Sequence, residues 1–145
     1  MQISRRTIPK AALIGGLIGA VINVVIWLIG TTIWGPIEVP PPSPDMPINA
    51  NGLTEVMIIM PAFATLVGAV GAGIAMFGIS YLKGNQYLIF QIVSFIALAL
   101  SFITVINVPD STDMNILGLM HITAAMPIVG ALTIMTPEQP AQEKV

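Results

Sequence analysis

Apolar residues in this chain come in long unbroken blocks, not in a repeating face. They run from Ala11 to Trp34, from about Thr54 to Leu82, from Tyr87 to Val108 and from Met114 to about Thr136. As a helix, each block can cross the roughly 30 Å hydrocarbon core of a bilayer, which takes about 20 residues. The blocks do not alternate with period two, which disfavours barrel strands. The pattern therefore predicts an all-α membrane protein, a four-helix transmembrane bundle forming one domain over residues 1–145.

The polar breaks between blocks are unequal. Gly84-Asn85-Gln86 and Pro109 to Asp113 are short. They predict that the second, third and fourth spans are antiparallel neighbours. The stretch from Gly35 to Leu53 is longer and holds Pro36, Pro40, Pro41, Pro42, Pro44 and Pro47. Consecutive prolines favour an extended polyproline segment, so this loop is expected to form a stiff strap over one face of the bundle, with docking of a partner as its second use. Residues 137–145 form a short polar tail.

Composition strengthens this picture. Of 145 residues, 55% are hydrophobic and only 8% charged, and the mean hydropathy is +0.90. A water-exposed surface needs about three times that share of charge, so lipid is the expected solvent. Five Lys+Arg cannot build the basic stripe that nucleic acid requires. The chain has no cysteine and one histidine, which removes thiolate metal sites, thiol nucleophiles and zinc sites of the HExxH type. No metal site and no catalytic residue is predicted.

Charge placement predicts the threading. Arg5, Arg6 and Lys10 precede the first span, Lys83 lies between the second and third, and Lys144 follows the fourth, whereas Glu38, Asp45, Glu55, Asp110 and Asp113 fall on the opposite side. By the positive-inside rule both termini face the cytoplasm of a prokaryotic cell, in its cytoplasmic membrane. The Ser4-Arg5-Arg6 segment resembles a twin-arginine export signal, but no small-x-small cleavage site follows Trp34; an uncleaved, anchored first span is the simpler expectation.

Inside the spans, small residues recur every fourth position: Ala12, Gly16 and Ala20 in the first, Ala64, Gly68 and Ala72 in the second. Such stripes let helix backbones approach closely in lipid. They predict packing of span one on span two, with self-association through the same faces as the alternative. Pro61 and Pro127 each remove a helical hydrogen bond and are expected to kink or loosen their helices.

No Asp, Glu, Lys or Arg lies deep in any span, which argues against ion pumps and intramembrane acid–base catalysis. Asn23, Asn107 and His121 are the polar residues of interest. Asn23 is expected to make an interhelical hydrogen bond. His121 lies seven residues after Met114, about 10 Å below the surface, level with Ser101 to Thr104 on the antiparallel third span. A hydrogen bond to Ser101, Thr104 or Asn107 would satisfy it. The sharper alternative places His121, with Ser101 and Thr104, in a binding site, since a neutral imidazole in an apolar helix suits axial ligation of a haem or chlorophyll-type pigment.

The segment Asn23-Val24-Val25-Ile26-Trp27-Leu28, the Ser101-Phe102 pair, the short acidic loop after it and Leu117-Gly118-Leu119-Met120-His121 together resemble a family of small uncharacterised bacterial four-span integral membrane proteins, a domain of unknown function. The resemblance implies a four-helix architecture with a polar Asn23/His121 pair and brings no activity, substrate or cofactor. The expected role is non-enzymatic: an accessory, scaffold or assembly subunit of a membrane complex, partnered by the bilayer and by other membrane helices or a second copy, without nucleic acid or a known cofactor. The alternatives are a protein binding a haem, pigment or lipid near His121, and a small transporter of uncharged solutes.

Overall fold

The computed structural model describes residues 2–136 and 138–139, with Gln2, Glu138 and Gln139 as backbone. Four helices dominate: α1 (Ile8–Trp34), α2 (Ile59–Ile79), α3 (Gln86–Val105) and α4 (Ser111–Ile134). All four are long and apolar enough to cross a membrane by length and composition. Short ribbons close the two ends. At one, β1 (Gln2–Ile3) pairs antiparallel with β4 (Glu138–Gln139); at the other, β2 (Glu38–Val39) pairs antiparallel with β3 (Thr54–Glu55). Of the predicted tail 137–145, β4 is described; Lys144 lies outside the described residues.

The helix ends follow from local chemistry. A single 3-10 turn, Arg5–Thr7, leads into α1, whose second residue is Pro9, where a missing N–H costs nothing. The helix stops at Gly35, which takes φ +94° and returns its N–H to Thr31 O at 3.1 Å; this backbone region suits glycine, and Pro36 cannot continue a helix. The Asn85 side chain caps α3 by accepting from Leu88 N at 3.0 Å. Asp110 caps α4, its carboxylate accepting from Thr112 N at 2.7 Å and Asp113 N at 3.1 Å. The Asp113 and Thr112 amides hold the Asp110 carboxyl below its ordinary pKa. Stabilisation by this cap is therefore complete above the ordinary carboxylate range and fades as pH falls through the lowered value.

The second span is shorter than the sequence predicts. Residues 54–58 belong to β3 and its exit, and residues 80–82 form a turn. Pro61 consequently stands in the first turn of α2, where it displaces no helical bond, so the predicted kink is not needed. Pro127 does lie inside α4, and the helix runs through it.

α1 is the centre of the bundle, packing chiefly on α4 and on α2; α3 leans more lightly on α4 and barely touches α2. The tight turns therefore make sequence neighbours without setting the main interfaces. The reason is glycine. A Cβ on Gly15 would lie 2.7 Å from Pro127 O and 2.8 Å from Ile128 Cα, so α1 meets the backbone of α4 directly. Gly16 faces the Ala69 Cβ and Gly73 faces the Ala12 Cβ in the same way across α1 and α2. Close approach of this kind is what association in an apolar solvent depends on.

The proline-rich segment is not a polyproline strap along its length. Its two arms pair as β2 and β3, Glu38 opposite Glu55 and Val39 opposite Thr54, and the prolines from Pro40 to Pro47 form the tip. Ile37, fully buried, plugs the ribbon into an apolar cluster with Val56, Ile116 and Met120. Two polar contacts fasten it: Trp27 Nε1 donates to Val56 O at 2.7 Å, and Glu38 N donates to Asp113 Oδ2 at 2.9 Å. Asp113→Ala is expected to speed amide hydrogen exchange across residues 37–56 and leave the helices protected. Asp113→Asn, which keeps an acceptor oxygen, should have the smaller effect.

Candidate functional site

The polar residues of the helices fall into three groups. In the bundle centre, buried Asn23 of α1 joins all three packed helices. Its Nδ2 donates to Thr65 Oγ1 of α2 at 2.8 Å, and its Oδ1 accepts from Thr123 Oγ1 of α4 at 3.1 Å. Both threonines also reach back to their own helices, Thr65 to Pro61 O at 2.7 Å and Thr123 to Leu119 O at 2.8 Å. Every hydroxyl therefore keeps a carbonyl in reach if Asn23 is lost. Asn23→Leu is expected to destabilise by only about 1 kcal/mol, in the range measured for interhelical hydrogen bonds in membranes. A double-mutant cycle with Thr65→Val checks this: coupling well below that value would mean the pair merely touches.

His121 belongs to a second group, in the half of the bundle that carries β2 and β3. Its Nδ1 lies 2.8 Å from Leu117 O on its own helix, and its ring leans on Phe102 with centroids 5.9 Å apart. The predicted hydrogen bonds to Ser101, Thr104 or Asn107 do not form. Ser101 donates to Leu98 O, Thr104 to Ser101 O and Asn107 to Ile103 O. Hydroxyl and amide side chains one turn beyond a helical carbonyl satisfy themselves locally, and no tertiary partner is required. Nor is there an Asn23/His121 pair, because Asn23 is committed to the two threonines. A shallow apolar cleft of about 430 Å³ does lie between α3 and α4, lined by Phe102, Val105, Met114, Asn115, Gly118 and Ile122 among others. His121, Ser101 and Thr104 are not part of its wall.

The third group ties the end that carries β1 and β4, and sequence reasoning did not single it out. Buried Gln86 accepts from Ile3 N at 3.0 Å and donates to Ser80 O at 3.1 Å and Leu82 O at 2.8 Å. Arg5 reaches the same Ser80, through Nε to its Oγ at 2.9 Å and through Nη2 to its carbonyl at 3.1 Å. The Arg5 guanidinium also lies over the Tyr81 ring, 3.7 Å from the centroid, and Tyr81 meets Phe77 edge-on. Tyr87 OH donates to Thr136 O beside them. A legible signal existed: Gln86 and Ser80 flank a turn between apolar blocks, on the side holding the arginines.

Small residues divide into used and unused faces. Ala12, Gly16 and Ala20 are buried in α1 as expected. In α2 the face toward α1 is Pro61, Thr65, Ala69, Gly73 and Met76, one residue out of phase with the predicted Ala64, Gly68 and Ala72. Ala64 and Gly68 are exposed and Ala72 half-buried. Together with Gly71, Ala75 and Gly78, Ala64 and Gly68 form a second small-residue face along α2 at about 100° per residue. An added Cβ at Gly68, Gly71 or Gly78 would meet nothing within 4 Å.

These features define an all-helical chain with four helices fit to cross a membrane, centred on a glycine-packed first helix and pinned by one mid-bundle asparagine. The family model that matches covers residues 3–137, nearly the whole chain, and is described as a family of unknown function, DUF6069. The chain belongs to that family. No curated protein and no solved structure matches it significantly.

Proposed function

We propose that this protein is a multi-pass component of a prokaryotic cytoplasmic membrane, with both termini in the cytoplasm, that acts without chemistry of its own as an accessory, scaffold or assembly subunit. The observation that carries the reading is the unused face of α2. Ala64, Gly68, Gly71, Ala75 and Gly78 follow one line down the helix, and the three glycines face open space. In lipid such a line is worth little to an isolated chain and much to a docking helix, because it lets two backbones approach. The exposed Gln91 of α3 supports the same reading, since a side-chain amide facing hydrocarbon gains by hydrogen bonding to a neighbouring helix.

The chain's lack of cysteine makes the test clean. Single cysteines at Gly71 and, as a control, at the exposed Leu100 of α3, on the opposite side of that helix from Gln91, are crosslinked in native membranes. Crosslinks confined to Gly71 support helix docking there; a chain that stays uncrosslinked at Gly71 overturns it. The threading is tested separately with a membrane-impermeant maleimide on intact cells. Ser43→Cys should label and Lys83→Cys should not, and the reverse pattern would overturn the orientation.

One observation favours a second reading, ligation by His121. Its Nδ1 is engaged by Leu117 O, and among the described residues Nε2 has no hydrogen-bond partner, the arrangement of ligating histidines. A visible absorption spectrum of protein purified from its native membrane tests this; without a haem or pigment band the reading fails.

A further inference from the structure

On the opposite side of α2 from the unused small-residue face, an apolar groove of about 590 Å³ runs between α1 and α2. Its α1 wall is Ile8, Pro9, Ala12 and Leu13, and its α2 wall extends from Leu66 through Val70 to Phe77. The α2 wall spans about 16 Å at 1.5 Å per residue, close to half of the roughly 30 Å hydrocarbon core, which is the depth of one leaflet. The groove ends where the cations are. Arg5 is fixed at this mouth by Ser80 and by the Tyr81 ring, which rests edge-on against Phe77 of the groove wall. Arg6 and Lys10, both exposed, stand on the same end of α1. Five of the seven carboxylates, Glu38, Asp45, Glu55, Asp110 and Asp113, belong to the opposite end of the bundle, at the β2–β3 ribbon and the α4 cap, while Glu138 of β4 lies in the strand paired with β1 at the cationic end.

We infer that this groove is a binding site for an anionic phospholipid, with one acyl chain lying against Leu13, Val70 and Phe77 and the phosphate met by Arg5, Arg6 and Lys10. An apolar trough one leaflet long, closed by basic side chains at its outer end, complements a molecule with a long hydrocarbon tail and a negative head. Neither half of the site explains the other: a protein helix would fill the trough without needing the cations, and a soluble anion would use the cations without the trough. Arg5 is the positioned member of the set, because its hydrogen bonds to Ser80 hold the guanidinium over the Tyr81 ring instead of leaving it to sweep through solvent.

The inference rests on the reading of α1 and α2 as membrane-spanning, but not on which compartment the termini face. The test uses the full chain in detergent micelles, titrated with phosphatidylglycerol or with phosphatidylcholine of the same acyl chains and followed by native mass spectrometry. One phosphatidylglycerol per chain should bind saturably and displace phosphatidylcholine. Arg6→Gln with Lys10→Gln, both at exposed positions, should weaken phosphatidylglycerol by about five-fold for each cation removed and leave phosphatidylcholine unchanged. Val70→Trp, at an exposed position in the trough, should weaken both lipids by filling the acyl site. Equal affinity for the two lipids, or phosphatidylglycerol binding unaffected by Val70→Trp, would overturn the proposal. So would displacement of the lipid by excess inorganic phosphate, which would identify a site for the head alone. Failure of Gly71 crosslinking would sink the docking face on α2 and leave these lipid measurements intact.

Discussion

Gly15→Leu is expected to separate α1 from α4 and to cost more than about 3 kcal/mol of folding stability. The space for a side chain at this position is already occupied by main chain, the Pro127 carbonyl and the Ile128 Cα, both under 3 Å from where a Cβ would stand. Flexible side chains can yield to an intruder; the backbone of a continuous helix cannot without moving as a whole. Gly71→Ala supplies the comparison within the same protein. Its Cβ meets nothing, so the substitution should stabilise by about 0.5–1 kcal/mol through helix propensity alone. Unfolding of both variants in mixed micelles, followed by circular dichroism, checks the contrast. If Gly15→Leu unfolds with the parent, the direct backbone contact between α1 and α4 is wrong.

Gln86→Leu should have the next largest effect, about 2–3 kcal/mol. The amide of Gln86 serves three backbone groups from two segments, Ile3 N on one side and Ser80 O and Leu82 O of the turn on the other. Its replacement takes the acceptor from Ile3 N and a donor from Leu82 O, while Ser80 O keeps Arg5 Nη2. Unlike the threonine hydroxyls around Asn23, the Ile3 amide lies in a strand and has no helical carbonyl one turn back to donate to. The loss should be local as well as global. Amide exchange at Ile3 should rise most, while Asn23 and its neighbours keep their protection. Gln86→Glu separates charge from geometry, since it retains an acceptor for Ile3 N and lacks the donor for Ser80 O and Leu82 O. An intermediate loss is expected, read from the same unfolding curves.

How much of this could be seen in the sequence depends on the kind of signal. Helices of this length in apolar blocks are dictated by the need to satisfy backbone groups, so α1, α3 and α4 fell within a few residues of their predicted ends. The small residues of α1 were legible because they come in pairs, Ala11-Ala12, Gly15-Gly16 and Gly19-Ala20, separated by the large pairs Leu13-Ile14 and Leu17-Ile18, which confines them to one face. Those of α2 were not, because alanine and glycine occur nearly all round that helix and spacing alone cannot choose a face. Thr65 was the missing clue. It lies about as far from the end of α2 as Asn23 does from the start of α1, and a polar pair at equal depth fixes the phase. The β2–β3 ribbon went unread because proline dominated the segment, yet Ile37-Glu38-Val39 and Thr54-Glu55-Val56 both alternate apolar or β-branched with charged residues. For His121 the error was of another kind. Depth matched Ser101 and Thr104, but each side chain had a nearer acceptor on its own helix, which periodicity does not reveal.

The central place of α1 has a consequence for biosynthesis. It is made before α2, α3 and α4, yet its glycine face is completed by α4, and the strand at its head pairs with residues 138–139. Until α4 emerges, Gly15 lacks the backbone it packs on and Gly19 has only Thr65 of α2 beside it. A nascent chain stalled or cut before α4 would therefore carry an open, adhesive helix, and quality-control machinery that surveys unassembled segments would find its mark there.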